Sequence, residues 1–74
     1  MATSVKADLK RSLTIAGHRT SLSLEPEFWD ALKQAASHDK KSLAALVAEI
    51  DVGREHRNLS SAIRVWVLKR AQGP

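Results

Sequence analysis

The chain has 74 residues, of which 43% are hydrophobic and 27% charged, with no cysteine and a formal net charge of +4. That length allows one small domain, and the composition is globular rather than disordered. It excludes disulfides and thiolate metal sites, and no segment approaches the roughly 20 apolar residues of a bilayer span.

Residues 1–9 are small, polar and mixed, with no apolar run after the first charges, so no secretory leader is expected. Residues 1–11 are assigned as a flexible arm and residues 12–74 as a single domain. From Ser12 the pattern alternates: Leu13 and Ile15 share one face. Beyond Gly17, Thr20, Leu22 and Leu24 share a face opposite Arg19, Ser21 and Ser23. Gly17 marks a bulge, a bend or a tight turn. Either residues 12–16 and 19–24 form one bent strand, or the earlier piece folds back or trails away.

A helix starts at Pro26, whose fixed φ suits a first helical position. Glu25, Glu27 and Asp30 complement its dipole. Phe28, Trp29, Leu32, Ala35 and Ala36 recur at helical spacing and form its apolar face. The polar cluster from Ser37 to Lys41 ends this helix without glycine, so Asp39 or Lys40 must take any left-handed conformation the turn needs. Ser42 caps a second helix that buries Leu43, Leu46, Val47 and Ile50. A third helix, capped by Ser60 or Asn58, carries Leu59, Ala62, Ile63, Trp66 and Val67 on one face, with Lys69 and Arg70 at its negative end.

The expected order is strand, helix, helix, helix. A lone strand leaves its backbone N–H and C=O groups without partners unless residues 12–16 fold back on it. A second copy solves the problem by antiparallel, two-fold pairing, and shares a core that one small domain builds only marginally. Charge is segregated along the chain. Residues 1–24 carry Lys6, Lys10, Arg11 and Arg19 against Asp8, for a net +3. Residues 25–51 sum to −3 and residues 52–74 to +4. Basic ends around an acidic middle suggest one surface facing a polyanion.

Leu22-x-Leu24 is followed by Phe28, Trp29 and Leu32, then Ala35-Ala36, then Ser42 with Leu46-Val47. This order resembles the ribbon-helix-helix fold of MetJ/Arc/CopG-type repressors, without a gap over residues 19–51. The stretch from Thr14 to Trp29, together with Asn58-Leu59-Ser60-Ser61-Ala62-Ile63, is similar to a bacterial ribbon-helix-helix subfamily. The resemblance implies a mainly α ribbon-helix-helix fold: one N-terminal strand paired across an intertwined homodimer, two helices, and here a third helix beyond the minimal fold. It also implies sequence-specific binding of double-stranded DNA, with the ribbon in the major groove, in a transcriptional repressor. The alternative is an antitoxin or other interaction module whose C-terminal helix holds a small partner protein.

On that resemblance Arg19, Ser21 and Ser23 contact base edges. Arginine reads guanine bidentately, and serine hydroxyls donate or accept adaptably. The start of the second helix holds a DNA phosphate through Ser42 and the backbone N–H of Leu43, with Lys40 and Lys41 adding cations. Leu22, Leu24, Phe28, Trp29, Leu32, Leu46, Val47 and Ile50 form the dimer core. His18, His38 and His56 lie in three separate segments, so no metal site or other cofactor is expected. No Ser–His–acid set has a scaffold, so no enzyme is expected either. Absent cysteine fits a reducing, cytoplasmic location, and with Leu59, Ile63 and Trp66 buried no membrane association is expected.

Overall fold

In the computed structural model, which describes residues 9–73, the elements are β1 (Leu9–Ile15), β2 (His18–Leu24), α1 (Pro26–His38), α2 (Leu43–Val52) and α3 (Leu59–Gln72). The earlier segment folds back: β1 and β2 pair antiparallel from Ile15 opposite His18 to Leu9 opposite Leu24. Two strands therefore stand where one was expected, and the backbone of β2 finds its partner inside the chain. Of the segment assigned as an arm, residues 9–11 belong to β1, and residues 1–8 lie outside the described residues.

The hairpin closes through Ala16 at φ 51° and Gly17 at φ 83°. Two central residues at positive φ define a type I′ turn, whose twist matches that of the flanking strands. Glycine adopts that region freely, whereas alanine does so under strain. Pairing then sets the faces. Cross-strand partners share a side of the sheet, so Leu13, Ile15, Leu22 and Leu24 look inward. Ile15, Leu22 and Leu24 are buried, with Leu13 packed against them.

Glu25 has extended dihedrals and Pro26 opens α1, while the Glu25 carbonyl accepts from the amides of Phe28 and Trp29 at 2.9 and 3.2 Å. The helix ends in a Schellman turn. The Lys41 amide donates to the Ala36 carbonyl at 3.0 Å and the Lys40 amide to Ser37 at 3.1 Å. Lys40, at φ 57°, takes the left-handed position that glycine usually fills. Ser42 caps α2, its hydroxyl accepting from the Ala45 amide at 3.0 Å. Asn58, rather than Ser60, caps α3, accepting from the Ser61 amide at 2.8 Å. That leaves the Ser60 hydroxyl to donate to the Ser23 carbonyl at 3.1 Å, joining α3 to β2.

The helices pack beneath the hairpin, α2 against β1 and α3 against β2. Their common core contains Trp29 and Leu32 from α1, Leu46, Val47 and Ile50 from α2, and Ala62 and Ile63 from α3. Leu22, Leu24, Trp29, Leu32, Leu46, Val47 and Ile50, expected to meet a second copy, are thus buried within one chain, and Phe28 packs partly buried against them. The third helix covers apolar surface that a strand-helix-helix unit would leave open. Trp29 also pins the start of the hairpin, its Nε1 donating to the Leu9 carbonyl at 2.9 Å while the Arg11 guanidinium lies 5.3 Å from the ring centroid.

Candidate nucleic-acid interface

The face of the hairpin turned away from the helices carries Lys10, Ser12 and Thr14 from β1 and Arg19, Ser21 and Ser23 from β2. Opposite pairs on it are Lys10 with Ser23, Ser12 with Ser21, and Thr14 with Arg19. Five of these side chains are exposed and Ser23 is half-buried, where α3 reaches the edge of the sheet. The face holds two cations, four hydroxyls and no carboxylate. Arg19, Ser21 and Ser23 therefore lie together on one solvent-facing surface. Lys10, Ser12 and Thr14 were not anticipated from the sequence, although the two residues between Ile15 and His18 were the available sign of a hairpin.

Rigidity comes from beneath. Alternation drives Leu22 and Leu24 into the core, which fixes Arg19, Ser21 and Ser23 on the opposite side, because a one-residue slip would bury the polar row. The turn sets the register from one end, and the Trp29 to Leu9 hydrogen bond holds it at the other. In a two-residue hairpin the flanking pair is hydrogen-bonded, and bonding alternates from there. The backbone groups of Arg19, Ser21 and Ser23 accordingly face the outer edge of β2, where Ser60 meets the Ser23 carbonyl.

The second group, residues 40–43, sits on different elements, at the turn between α1 and α2. Lys40 is exposed, but the Lys41 ammonium is paired with Glu49 at 2.5 Å, and the Ser42 hydroxyl is engaged as the cap. The first intrahelical bond of α2 comes from Leu46, so the amides of Leu43 and Ala44 precede it and point out of the helix start. That end carries positive dipole charge and attracts anions.

Three of the remaining arginines are tied to carboxylates. Arg64 bonds Glu25 at 2.9 Å, Arg54 bonds Asp51 at 2.6 Å, and Arg70 bonds both oxygens of Asp39 at 2.9 and 3.1 Å. Hydrogen bonds from Arg70 and His38 hold the Asp39 carboxyl down at about 2, against an ordinary 3.8. The Glu25 carboxyl is lowered too, by a backbone hydrogen bond first and then by Arg64. Arg70 also lies 5.2 Å from the Trp66 ring centroid, so the groove of about 400 Å³ between α1 and α3 is edged by groups already engaged with one another. Among the described residues, no three His, Asp or Glu side chains gather as a metal site would. No helix there is long and apolar enough to cross a membrane.

No curated protein and no solved structure matches the chain. The ribbon-helix-helix domain family matches residues 9–71, from the first residue of β1 into the last turn of α3. A two-stranded ribbon followed by helices, matched over nearly its whole length, makes this chain a member of the ribbon-helix-helix domain family.

Proposed function

We propose that the protein is a sequence-specific DNA-binding transcriptional repressor of the bacterial cytoplasm, reading the major groove with its antiparallel ribbon. Proteins of this family are generally DNA-binding transcription regulators or antitoxins, typically bind DNA as dimers and are typically not enzymes. The observation that carries the reading is the outer face of the hairpin, with two cations and four hydroxyls held over a rigid core and no acid among them. The major groove, about 12 Å wide, admits a two-stranded ribbon, and arginine, lysine, serine and threonine are all side chains that read base edges there.

In this reading Arg19, Ser21 and Ser23 contact bases. Lys40, Ser42 and the Leu43 amide hold a phosphate, and Lys41 joins them when its pair with Glu49 opens. The protein acts as a homodimer, each copy bringing its own folded hairpin. An antitoxin role for α3 has less to build on. Ile63 is fully buried and Leu59, Trp66 and Val67 pack on the core, leaving Leu68, at 56% exposed, as the large apolar side chain α3 offers a partner.

Mobility-shift assays against DNA selected from a random library test the proposal. The expected result is a sequence preference that survives moderate salt and is lost or relaxed in Arg19→Ala. Equal binding to all sequences at low salt, unchanged in Arg19→Ala, would refute it.

A further inference from the structure

The two strands of the hairpin repeat one another. Lys10-Arg11-Ser12-Leu13-Thr14-Ile15 and Arg19-Thr20-Ser21-Leu22-Ser23-Leu24 share the order cation, x, Ser, Leu, hydroxyl, aliphatic, at a constant offset of nine residues. The pairing makes that offset geometrically significant. Ser12 lies directly opposite Ser21. An axis through this pair, perpendicular to the sheet, carries every residue of β1 onto the residue nine positions later in β2. Lys10 falls on Arg19, Ser12 on Ser21, Thr14 on Ser23, Leu13 on Leu22 and Ile15 on Leu24. The outer face consequently presents the same chemistry twice, in rows running in opposite directions, and the inner face matches in its two most buried positions.

Resting on the DNA-reading proposal, we infer that one chain alone supplies a complete quasi-two-fold reading surface, in which Lys10, Ser12 and Thr14 determine specificity as the counterparts of Arg19, Ser21 and Ser23. A duplex has its own two-fold axis, so a face of this symmetry recognises a quasi-palindrome, with Ser12 and Ser21 over its centre. Lys10 and Arg19 sit at opposite ends, four residues apart along the ribbon, or about 13 Å. At 3.4 Å per base pair that spans about four steps. Lysine and arginine both donate to O6 and N7 of guanine. The target subsite is therefore a guanine on each strand, about four base pairs apart, one read by Lys10 and the other by Arg19 of the same chain.

The intrachain pairing supports this over a ribbon built from two copies of β2. Joining two hairpins through β2 would give a four-stranded sheet about 14 Å between its outer strands at about 4.8 Å spacing. That exceeds a groove about 12 Å wide. The Ser60 hydroxyl also already occupies the Ser23 carbonyl on the outer edge of β2.

Selection from random DNA with the full chain and three variants tests the inference. The wild type is expected to select two guanines on opposite strands. Arg19→Ala should lose preference at one of them and Lys10→Ala at the other, each by about 5- to 150-fold. Lys10→Arg should keep both. Because Lys10 and Arg19 are exposed, circular dichroism should show all variants folded like the wild type. If Arg19→Ala loses both guanines and Lys10→Ala neither, the ribbon is shared between two copies and the inference fails while the DNA-binding function stands. If Lys10→Ala weakens all sequences equally and flattens the salt dependence, Lys10 touches phosphate and the inference likewise fails. A wild-type chain with no sequence preference refutes both proposals.

Discussion

Alanine at Gly17 and alanine at Gly53 are the same change in chemistry, and the structure gives them opposite signs. At both positions a new Cβ meets nothing within 4 Å, so no clash contributes. What differs is the backbone: φ is +83° at Gly17 and −96° at Gly53. A left-handed conformation costs an L-residue roughly 1–2 kcal/mol, partly offset by the roughly 0.4–1 kcal/mol gained because alanine restricts the unfolded chain. Gly17→Ala should therefore destabilise by about 1 kcal/mol, lowering the Tm by roughly 4–8 °C in a domain of this size. Gly53→Ala should keep only the favourable term and raise stability by about 0.4–1 kcal/mol. Ala16→Asn completes the set. Alanine is already left-handed there at φ 51°, and asparagine tolerates that region better, so a gain of about 0.5–1 kcal/mol is expected. Thermal unfolding followed by far-UV circular dichroism reads all three, with coincident transitions at two wavelengths checking two-state behaviour. A Gly17→Ala protein melting at or above the wild type would refute the type I′ hairpin and, with it, the intrachain ribbon.

Lys40→Gly should stabilise the protein by about 1 kcal/mol in urea titration, because glycine suits the left-handed position of the Schellman turn. The same variant should bind DNA more weakly if Lys40 meets a phosphate. Leu32→Ala should destabilise by about 2–5 kcal/mol, since the leucine is fully buried, whereas Val52→Ala, at 87% exposed, should shift the urea midpoint little. The Asp39 carboxyl is held at about 2, below its ordinary 3.8. A depressed carboxylate contributes stability above its unfolded value and loses it as pH falls through its folded one. The wild type should accordingly shed the Asp39–Arg70 contribution between about pH 4 and pH 2, while Asp39→Asn lacks it throughout. Tm curves for the two proteins that stay parallel down to pH 2 would contradict this.

The elements with strong local signals were legible from the residues alone. Alternation at Leu22 and Leu24 fixed the faces of β2, Pro26 marked the start of α1, and Ser42 the cap of α2. Periodicity found the core of all three helices. The pairing of the first strand was left open for two physical reasons. Its turn is Ala-Gly rather than the Asn-Gly or Asp-Gly that announces a type I′ hairpin, and nothing local marks an alanine as left-handed. Its inward row also includes Arg11, which breaks the apolar alternation and is accommodated because the guanidinium spreads over Trp29. The candidate site was half legible for the same reason: Arg19, Ser21 and Ser23 could be read from β2, whereas Lys10, Ser12 and Thr14 needed the pairing. The partnership of Lys41 with Glu49 joins a turn to a helix face, and that of Ser60 with Ser23 joins residues 37 apart. Contacts of this kind are set by tertiary packing.

Ser60, placed by the Asn58 cap and bonded to the Ser23 carbonyl, locks the third helix onto the strand of its own chain. The expected kinetic consequence is that folding and association are separate events. In an intertwined dimer the two are one bimolecular reaction, and the melting temperature rises with protein concentration. Here the core closes within the chain, so folding is expected to be first-order, with a rate and midpoint independent of protein concentration; a midpoint that rises with concentration would instead mark an intertwined dimer. Subunits of any dimer formed afterwards can exchange on the timescale of dissociation, without unfolding.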